Sequence, residues 1–458
     1  MLSVKPAIVS SAEPTGGKHD DRSGNSQECL DRAIARTRRR LVPFLVMMYV
    51  VSFLDRSNIG FAKQALETSV GISPPSYALA AGLFFISYAL CGFPSNLTLH
   101  RVGARLWMSI ITVAWGTISM ATMFVQGNSS LYALRLLLGI TEAGFFPGVI
   151  LYLTYWFPGR VRGQIMGLFY VGLPLALIFG GPLSGFLLEM HSVAGLQGWQ
   201  WMFLIEGFIA VLVGVAAYRY LDDNPTDAEW MPSRERTALI EALSAEERER
   251  RALSPTSILK MIVDFRVLSY LAIYALIQTS IYGVIFYLPT EVSALIHKPA
   301  GIVVGLVSAI PWVFALGAIV WLPKIADRFQ NHRICASATL LIGGCASFVF
   351  PTAGPVLGIG ALSVAISALA AVQPLFWTFP TRYLAGRAAA GGIAVIALGN
   401  LGGFVAPNLK VWADQHFRSE SAGLYLLAAL TVLNAGLIFL VNRRTRTTRA
   451  PNETAISS

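Results

Sequence analysis

Four ionisable residues stand where charge is costly. Asp55 and Arg56 interrupt the apolar run LVPFLVMMYVVSFLDRSNIGFA, from Leu41 to Ala62. Arg135 and Glu142 interrupt LYALRLLLGITEAGFF, from Leu131 to Phe146. A charge at the centre of a bilayer costs about 2.5–3.5 kcal/mol on insertion scales, so four cost on the order of 10 kcal/mol if the terms add. Stability alone would favour Leu or Ala, and ionisable groups in such places mark paths for solutes or protons. Arg135 and Glu142 are seven residues apart and share a helical face about two turns apart, too far to touch. Each therefore meets a partner on the first run. Asp55 and Arg56 diverge by about 100° around their helix, so one can face a central cavity while the other faces the fourth run. The four charges cancel when all are ionised. Protonating either carboxylate leaves a positive site that suits an anion. A carboxyl caught between desolvation and a nearby Arg can exchange its proton when that Arg turns to an incoming carboxylate. The plainer reading, a neutral ion-pair network that fixes packing, is weaker because apolar substitutes would pack as well.

The rest of the chain must hold these residues inside a membrane. Of its 458 residues, 55% are hydrophobic and 13% charged, with a mean hydropathy of +0.59. Soluble domains carry about 25% charged residues. Twelve apolar runs are long enough to span, near 41–64, 77–98, 106–125, 131–155, 163–188, 199–220, 267–290, 301–322, 334–352, 355–377, 390–412 and 422–442. The fold class is therefore an all-α membrane protein with twelve transmembrane helices. The net charge of +10 comes from short basic clusters between the runs, which argues for membrane topology and against nucleic-acid binding. Arg38–Arg40, Arg101, Arg105, Arg160, Arg162, Lys324, Arg328, Arg333, Arg382, Arg387 and Arg443 fall on one side. Lys298, Lys410 and Arg418 fall on the other, with Lys63 at a helix end. That asymmetry places both termini in the cytosol.

The organisation expected is a disordered cytosolic tail (1–40), a six-helix half (41–220), a cytosolic linker (221–265), a second six-helix half (266–442) and a cytosolic tail (443–458). Within the linker, Thr237 to Arg251 predicts a charged surface helix. The halves carry traces of duplication: Pro158 of WFPGR and Pro380 of FPTR lie 222 positions apart, as do Gly180-Gly181 and Gly402-Gly403. A common offset near half the chain predicts two parallel, pseudo-symmetric halves. Gln278 and Tyr282, four apart in LIQTSIYG, share a helical face and can reach a ligand or bridge helices. The four cysteines show no metal or redox spacing, no His pair has metal-ligand spacing, and no nucleotide-binding loop occurs. An ATP-driven pump and an enzyme are excluded on these grounds. Glu206, in FLIEGFIA, is a third acid in an apolar run; a cytosolic or helix-packing role is expected for it, outside the site.

Five ordered motifs carry a family resemblance over about residues 41–442: FLDRSNIGFA, PSN…RVGAR (Pro94 to Arg105), RLLLGITEAGFFPGVILYLTYWFPGRVRG (Arg135 to Gly163), GGPLSG, and FWTFPTRYLAGRAAAGGIA…GNLGGFVAP (Phe376 to Pro407). The chain resembles the major facilitator superfamily, and within it the anion:cation symporter family of phthalate, tartrate, hydroxyphenylacetate and hexonate permeases. The resemblance implies a central cavity open to one side at a time. It implies Arg56 or Arg135 for the anion and Asp55 and Glu142 for protons. It also places Tyr88, Trp377, Thr378 and Asn400 at or near the cavity. His100, Arg101, Gly103 and Arg105, with Asp327 and Arg328 in the second half, stand at the cytosolic gate. There HRVGAR has His100 where an acid is usual, so an acid elsewhere must compensate or the latch is weak and pH-sensitive.

The expected function is proton-coupled import of a small organic anion across the bacterial inner membrane. The proton is the coupling ion, no other cofactor takes part, and the protein is a monomer in the lipid bilayer. Alternatives are an organic-anion antiporter, a multidrug exporter or a non-transporting receptor. Phe84, Phe85, Tyr88, Tyr282, Trp312 and Trp377 predict an aromatic cavity. Phe53 and FYVGLPLALIFGG offer few polar groups and lean away from a polyhydroxy acid.

Overall fold

A computed structural model describes residues 18–190, 193–252, 264–383 and 388–441. The chain forms helices α1 (Lys18–Ala65), α2 (Pro74–Val102), α3 (Ala104–Ala121), α4 (Asn128–Glu142), α5 (Phe145–Trp156), α6 (Gly159–Tyr170), α7 (Gly172–Leu188) and α8 (Gly198–Tyr220). These are followed by α9 (Ser233–Ala252), α10 (Phe265–Ile296), α11 (Ile302–Phe329), α12 (His332–Val349), α13 (Pro355–Tyr383), α14 (Ala388–Ala397), α15 (Gly402–His416) and α16 (Ala422–Val441). Among the described residues, eleven helical stretches are long and apolar enough to cross a membrane, counting α4–α5 and α6–α7 as one each. Helices satisfy their backbone groups internally, which is the requirement lipid imposes. Large apolar side chains such as Leu90, Phe93, Phe179, Phe314 and Trp321 point outward, as a multi-pass membrane protein requires.

The twelfth expected run, 390–412, is not one helix. It is α14, a 3-10 turn over Leu398–Leu401, and α15. The turn falls in GNLGG, where Gly399 and Gly402 press against α10: a Cβ on Gly402 would lie 2.2 Å from the Ala275 carbonyl oxygen. Glycine permits that approach and weakens the helix there. In consequence α15 extends to His416, and Lys410 is buried in it. Lys410 Nζ lies 3.4 Å from Glu291 and 2.9 Å from Asp414, so it is not the loop lysine expected from the charge pattern.

The expected disordered tail also needs correction. Residues 1–17 lie outside the described residues, but α1 begins at Lys18 and continues unbroken into the membrane-spanning part. Ala33, Thr37 and Leu41, spaced by four, form a fully buried stripe, and α1 packs against α9. Arg36 Nε donates to Glu235 of α9 at 2.9 Å. The segment is polar overall, so hydropathy gave no signal, yet one face is buried. The helix expected over Thr237 to Arg251 starts earlier, at Ser233. Glu246 of α9 accepts from the Gly159 amide at 2.8 Å and from Arg162 at 3.0 Å, tying the linker to the WFPGR turn. Residues 253–263 and the expected tail 443–458 lie outside the described residues.

The duplicated glycines sit where the two halves meet. Gly181 of α7 faces Gly305 of α11: a Cβ on Gly305 would lie 2.1 Å from the Gly181 oxygen. Gly403 of α15 faces α2: its Cβ would lie 2.4 Å from the Phe85 ring. One offset of 222 positions thus produces two equivalent close approaches, α7 on α11 and α15 on α2. That is the pseudo-two-fold arrangement of two six-helix halves. Gly60 of α1 makes a third approach, with its Cβ position 2.9 Å from the Phe286 carbonyl oxygen of α10.

Candidate functional site

The site is built on α1, α4 and α10. Ser52 and Arg56 of α1 are one turn apart and both reach Glu142 of α4. Ser52 Oγ donates to Glu142 Oε1, and Arg56 Nε donates to the same oxygen at 2.8 Å. The pair is deeply buried, with Arg56 at 5% and Glu142 at 0% exposure, so the guanidinium and carboxylate neutralise each other in a medium that penalises either alone. Arg56 Nη1 donates to the Tyr282 hydroxyl of α10 at 3.1 Å, across the boundary between the halves. Its Cζ lies 4.9 Å from the Tyr88 ring centroid, 5.1 Å from Phe53 and 5.3 Å from Phe84, within cation–π range. Nη2 remains buried with no hydrogen-bond partner.

Arg56 forms one wall of a narrow cavity of about 30 Å³ between the halves. The N-terminal half contributes Tyr49, Phe53, Arg56, Tyr88, Phe146, Tyr170 and Leu173. The C-terminal half contributes Tyr274, Gln278, Ile281, Tyr282, Ile285, Gln373 and Asn400. Tyr49, Phe53 and Arg56 follow the i, i+4, i+7 stripe of one helical face, as do Tyr274, Gln278 and Ile281. Gln278 Nε2 donates to Asn400 Oδ1 at 2.7 Å, and Asn400 Nδ2 donates to the Ala397 carbonyl at 2.9 Å. Gln278 Oε1 has no partner. The cavity therefore offers an unpartnered cationic donor from one half and an unpartnered neutral acceptor from the other.

Residues 45–407 match the family model of the Major Facilitator Superfamily. The chain belongs to that superfamily. It is 45% identical to the inner membrane transport protein RhmT of Escherichia coli K12, over 91% of this chain and 97% of that protein. It is 39% identical to a putative tartrate transporter of Agrobacterium vitis, over 90% of this chain and 95% of that protein. Among solved structures, the inward-open xylose transporter XylE from E. coli superposes with a TM-score of 0.70 at 14% identity, covering 88% of this chain and 96% of that one. Members of the superfamily are transporters, so the protein is a transporter and not an enzyme.

Within this facilitator fold, five residues singled out from the sequence line the cavity: Arg56, Tyr88, Gln278, Tyr282 and Asn400. Glu142 stands behind Arg56. Asp55 points away from the cavity: Oδ1 accepts from Ser119 Oγ of α3 and from Asn58 Nδ2 at 3.3 Å, while Oδ2 has no partner. Arg135 is also off the cavity, its Cζ 5.3 Å from the face of Phe84, and its Nε and Nη2 are unpartnered. Asp55 is its first electrostatic neighbour, and no ion pair joins it to Glu142. Trp377 packs on Tyr274 with centroids 5.2 Å apart, and Thr378 donates to the Leu375 carbonyl of its own helix at 2.7 Å; neither lines the cavity. Phe84, Phe85 and Trp312 are packed in the core.

Sequence reading missed Tyr49, Tyr170, Tyr274 and Gln373, and their hydroxyls and amide make the wall more polar than expected. A helical stripe of Tyr and Gln in α10 was the available signal.

The expected gating residues form two separate clusters. Gly103, at φ +94°, breaks α2 from α3, and a Cβ there would lie 2.8 Å from Asp223 Oδ1. The Arg105 amide donates to the same oxygen at 2.8 Å, and Arg105 Nε donates to the Tyr218 carbonyl at 2.6 Å. Asp223 is thus an acid seated against the HRVGAR motif, from the segment that follows α8. The side chain of His100 lies outside the described residues, and Arg101 is exposed. In the second half, Asp327 Oδ1 meets His332 Nε2 at 2.9 Å and Arg328 is exposed.

Proposed function

We propose that the protein carries a small hydroxylated organic anion into the cell together with protons. One observation carries the reading: Arg56 is buried in the cavity wall, held by Glu142 and Tyr282, with Nη2 free for a ligand. An anion entering the cavity competes with Glu142 for the guanidinium. A carboxylate that loses its cation in a low-dielectric interior is costly, so displacement of Glu142 is coupled to its taking a proton. Anion and proton then cross together and the site stays neutral. Arg135 and Asp55 supply a second balanced charge behind Phe84. Rocking of the two halves about their glycine contacts exposes the cavity alternately to each side.

Five tyrosines, two glutamines and Asn400 in the wall supply hydroxyl and amide partners suited to a hydroxy acid rather than a plain aromatic one. A relative described as a tartrate transporter supports that class. The basic clusters put both termini in the cytosol, with the protein in the bacterial inner membrane as a monomer. On that topology, Gly103–Asp223 and Asp327–His332 lie at the cytosolic gate. The proton is the coupling ion, and no bound cofactor enters the cycle.

Proteoliposomes loaded with buffer test the reading. An inward proton gradient should drive accumulation of labelled tartrate or a sugar acid above its equilibrium level. Glu142→Gln should lose accumulation while the purified protein still binds the acid. Exchange that ignores the gradient would make the protein an antiporter, and outward transport of hydrophobic cations would make it an exporter.

A further inference from the structure

Glu206 is the acid the transport reading leaves unused. It lies in α8 at 2% exposure, and Oε1 accepts from Ser184 Oγ of α7 at 2.6 Å. Oε2 has no partner of good hydrogen-bond geometry, the Asn58 side chain approaches the carboxyl, and among the described residues no ion pair involves Glu206. Among the described residues, the groups that face it are Ser184, Asn58 and Asp55, and no cation does. Asn58 of α1 is fully buried, donates to Asp55, and has an unpartnered Oδ1. Three orphaned atoms therefore gather in one region between α1, α3, α7 and α8: Asp55 Oδ2, Asn58 Oδ1 and Glu206 Oε2.

Charge balance decides what is there. Arg56 neutralises Glu142, and Arg135 of α4 faces Asp55. Helix α7 carries no charged residue, and the one in α3, Arg105, is engaged with Asp223 and Tyr218. An ionised Glu206 would be a fifth charge with nothing to oppose it, at several kcal/mol in a low-dielectric interior. A proton on Glu206 removes the charge and supplies a donor for an orphaned acceptor. Asn58 suits this role: its amide donates to an ionised carboxylate, and its carbonyl accepts from a protonated one.

We propose that Glu206 is a protonated carboxylic acid hydrogen-bonded to Asn58, whose amide also holds Asp55, forming a second proton site behind the substrate cavity. With the proton on Glu206, Asp55 stays ionised, facing Arg135 without direct contact. The total charge of the two acids stays at minus one. Arg135 faces both Asp55 and the Phe84 ring, which links this site to the cavity wall. The role of the site in coupling rests on the symport reading; the protonation state of Glu206 does not.

Infrared spectroscopy of the purified protein at neutral pH tests it. The parent should show a carbonyl-stretch band of a protonated carboxylic acid. Glu206→Gln should lose that band, Asp55→Asn should keep it, and Ser184→Ala should shift it by removing the donor to Oε1. A band unchanged in Glu206→Gln, or unmoved in Ser184→Ala, overturns the assignment, and the second variant decides if the first does not fold. In proteoliposomes Glu206→Gln should displace the pH profile of uptake; a profile identical to the parent's would remove the site from the coupling path. If the parent accumulates nothing under a proton gradient, symport fails and the infrared result still stands.

Discussion

The two halves face one cavity with opposite chemistry. Among the described residues, the N-terminal half holds the buried ionisable groups near it: Asp55, Arg56, Arg135, Glu142 and Glu206. The C-terminal half offers only neutral groups there, Tyr274, Gln278, Tyr282, Gln373 and Asn400. Its buried lysine, Lys410, lies outside the cavity, paired with Glu291 and Asp414. The backbone repeat is symmetric, with matching glycine approaches, while the chemistry is not. Placing the charges in one half lets them neutralise one another within a rigid unit, so their balance does not depend on how the halves are rocked. The neutral half then reads shape and hydroxyl pattern. Among the described residues, one hydrogen bond, Arg56 to the Tyr282 hydroxyl, joins the charge network to the neutral half.

The largest effect should follow from Arg56→Lys. An ammonium cannot reproduce the forked contacts to Glu142 and Tyr282 or the stacking on three rings. Disrupting a buried charge pair costs about 2–5 kcal/mol, so uptake should fall on the order of a hundredfold even though the charge is kept. Lysine performing like arginine would mean that charge alone, and not the fork, is used.

A smaller effect is expected at the contacts between halves. Gly305→Ala and Gly403→Ala each force atoms into an occupied approach, at about 1–3 kcal/mol. Spin labels at Thr68 and Glu420 should report wider separation on that face in both variants. If only one variant widens, the two approaches are not equivalent and the symmetric part of the comparison fails.

The smallest effect belongs to the neutral wall. Gln278→Leu removes a hydrogen bond to Asn400 and an unpartnered acceptor, worth about 1 kcal/mol. Affinity for a hydroxy acid should drop up to about tenfold, with less change for a plain aromatic acid. An equal loss for both acids would assign Gln278 to packing rather than selectivity.

The cost of placing charge in an apolar run made Asp55, Arg56, Arg135 and Glu142 legible from the sequence. The same cost argument applied to Glu206, but nothing local says that Asn58 and Asp55 lie within its reach, because that depends on how α8 packs against α1. Tyr49, Tyr170, Tyr274 and Gln373 escaped notice because such residues cost little in a helix and look like packing. The first turns of α1 escaped because hydropathy does not register a polar helix with one buried stripe.

The order of apolar runs and short basic loops determined a polytopic helical protein, since lipid leaves the backbone few alternatives. The 222-residue offset in the glycines determined that its halves would be alike. Only the packing of α1 against α4 and α10 decided that Arg56 turns to the cavity while Asp55 turns to Ser119. Neighbouring residues point about 100° apart, and which direction is the cavity is fixed by the helices that surround them.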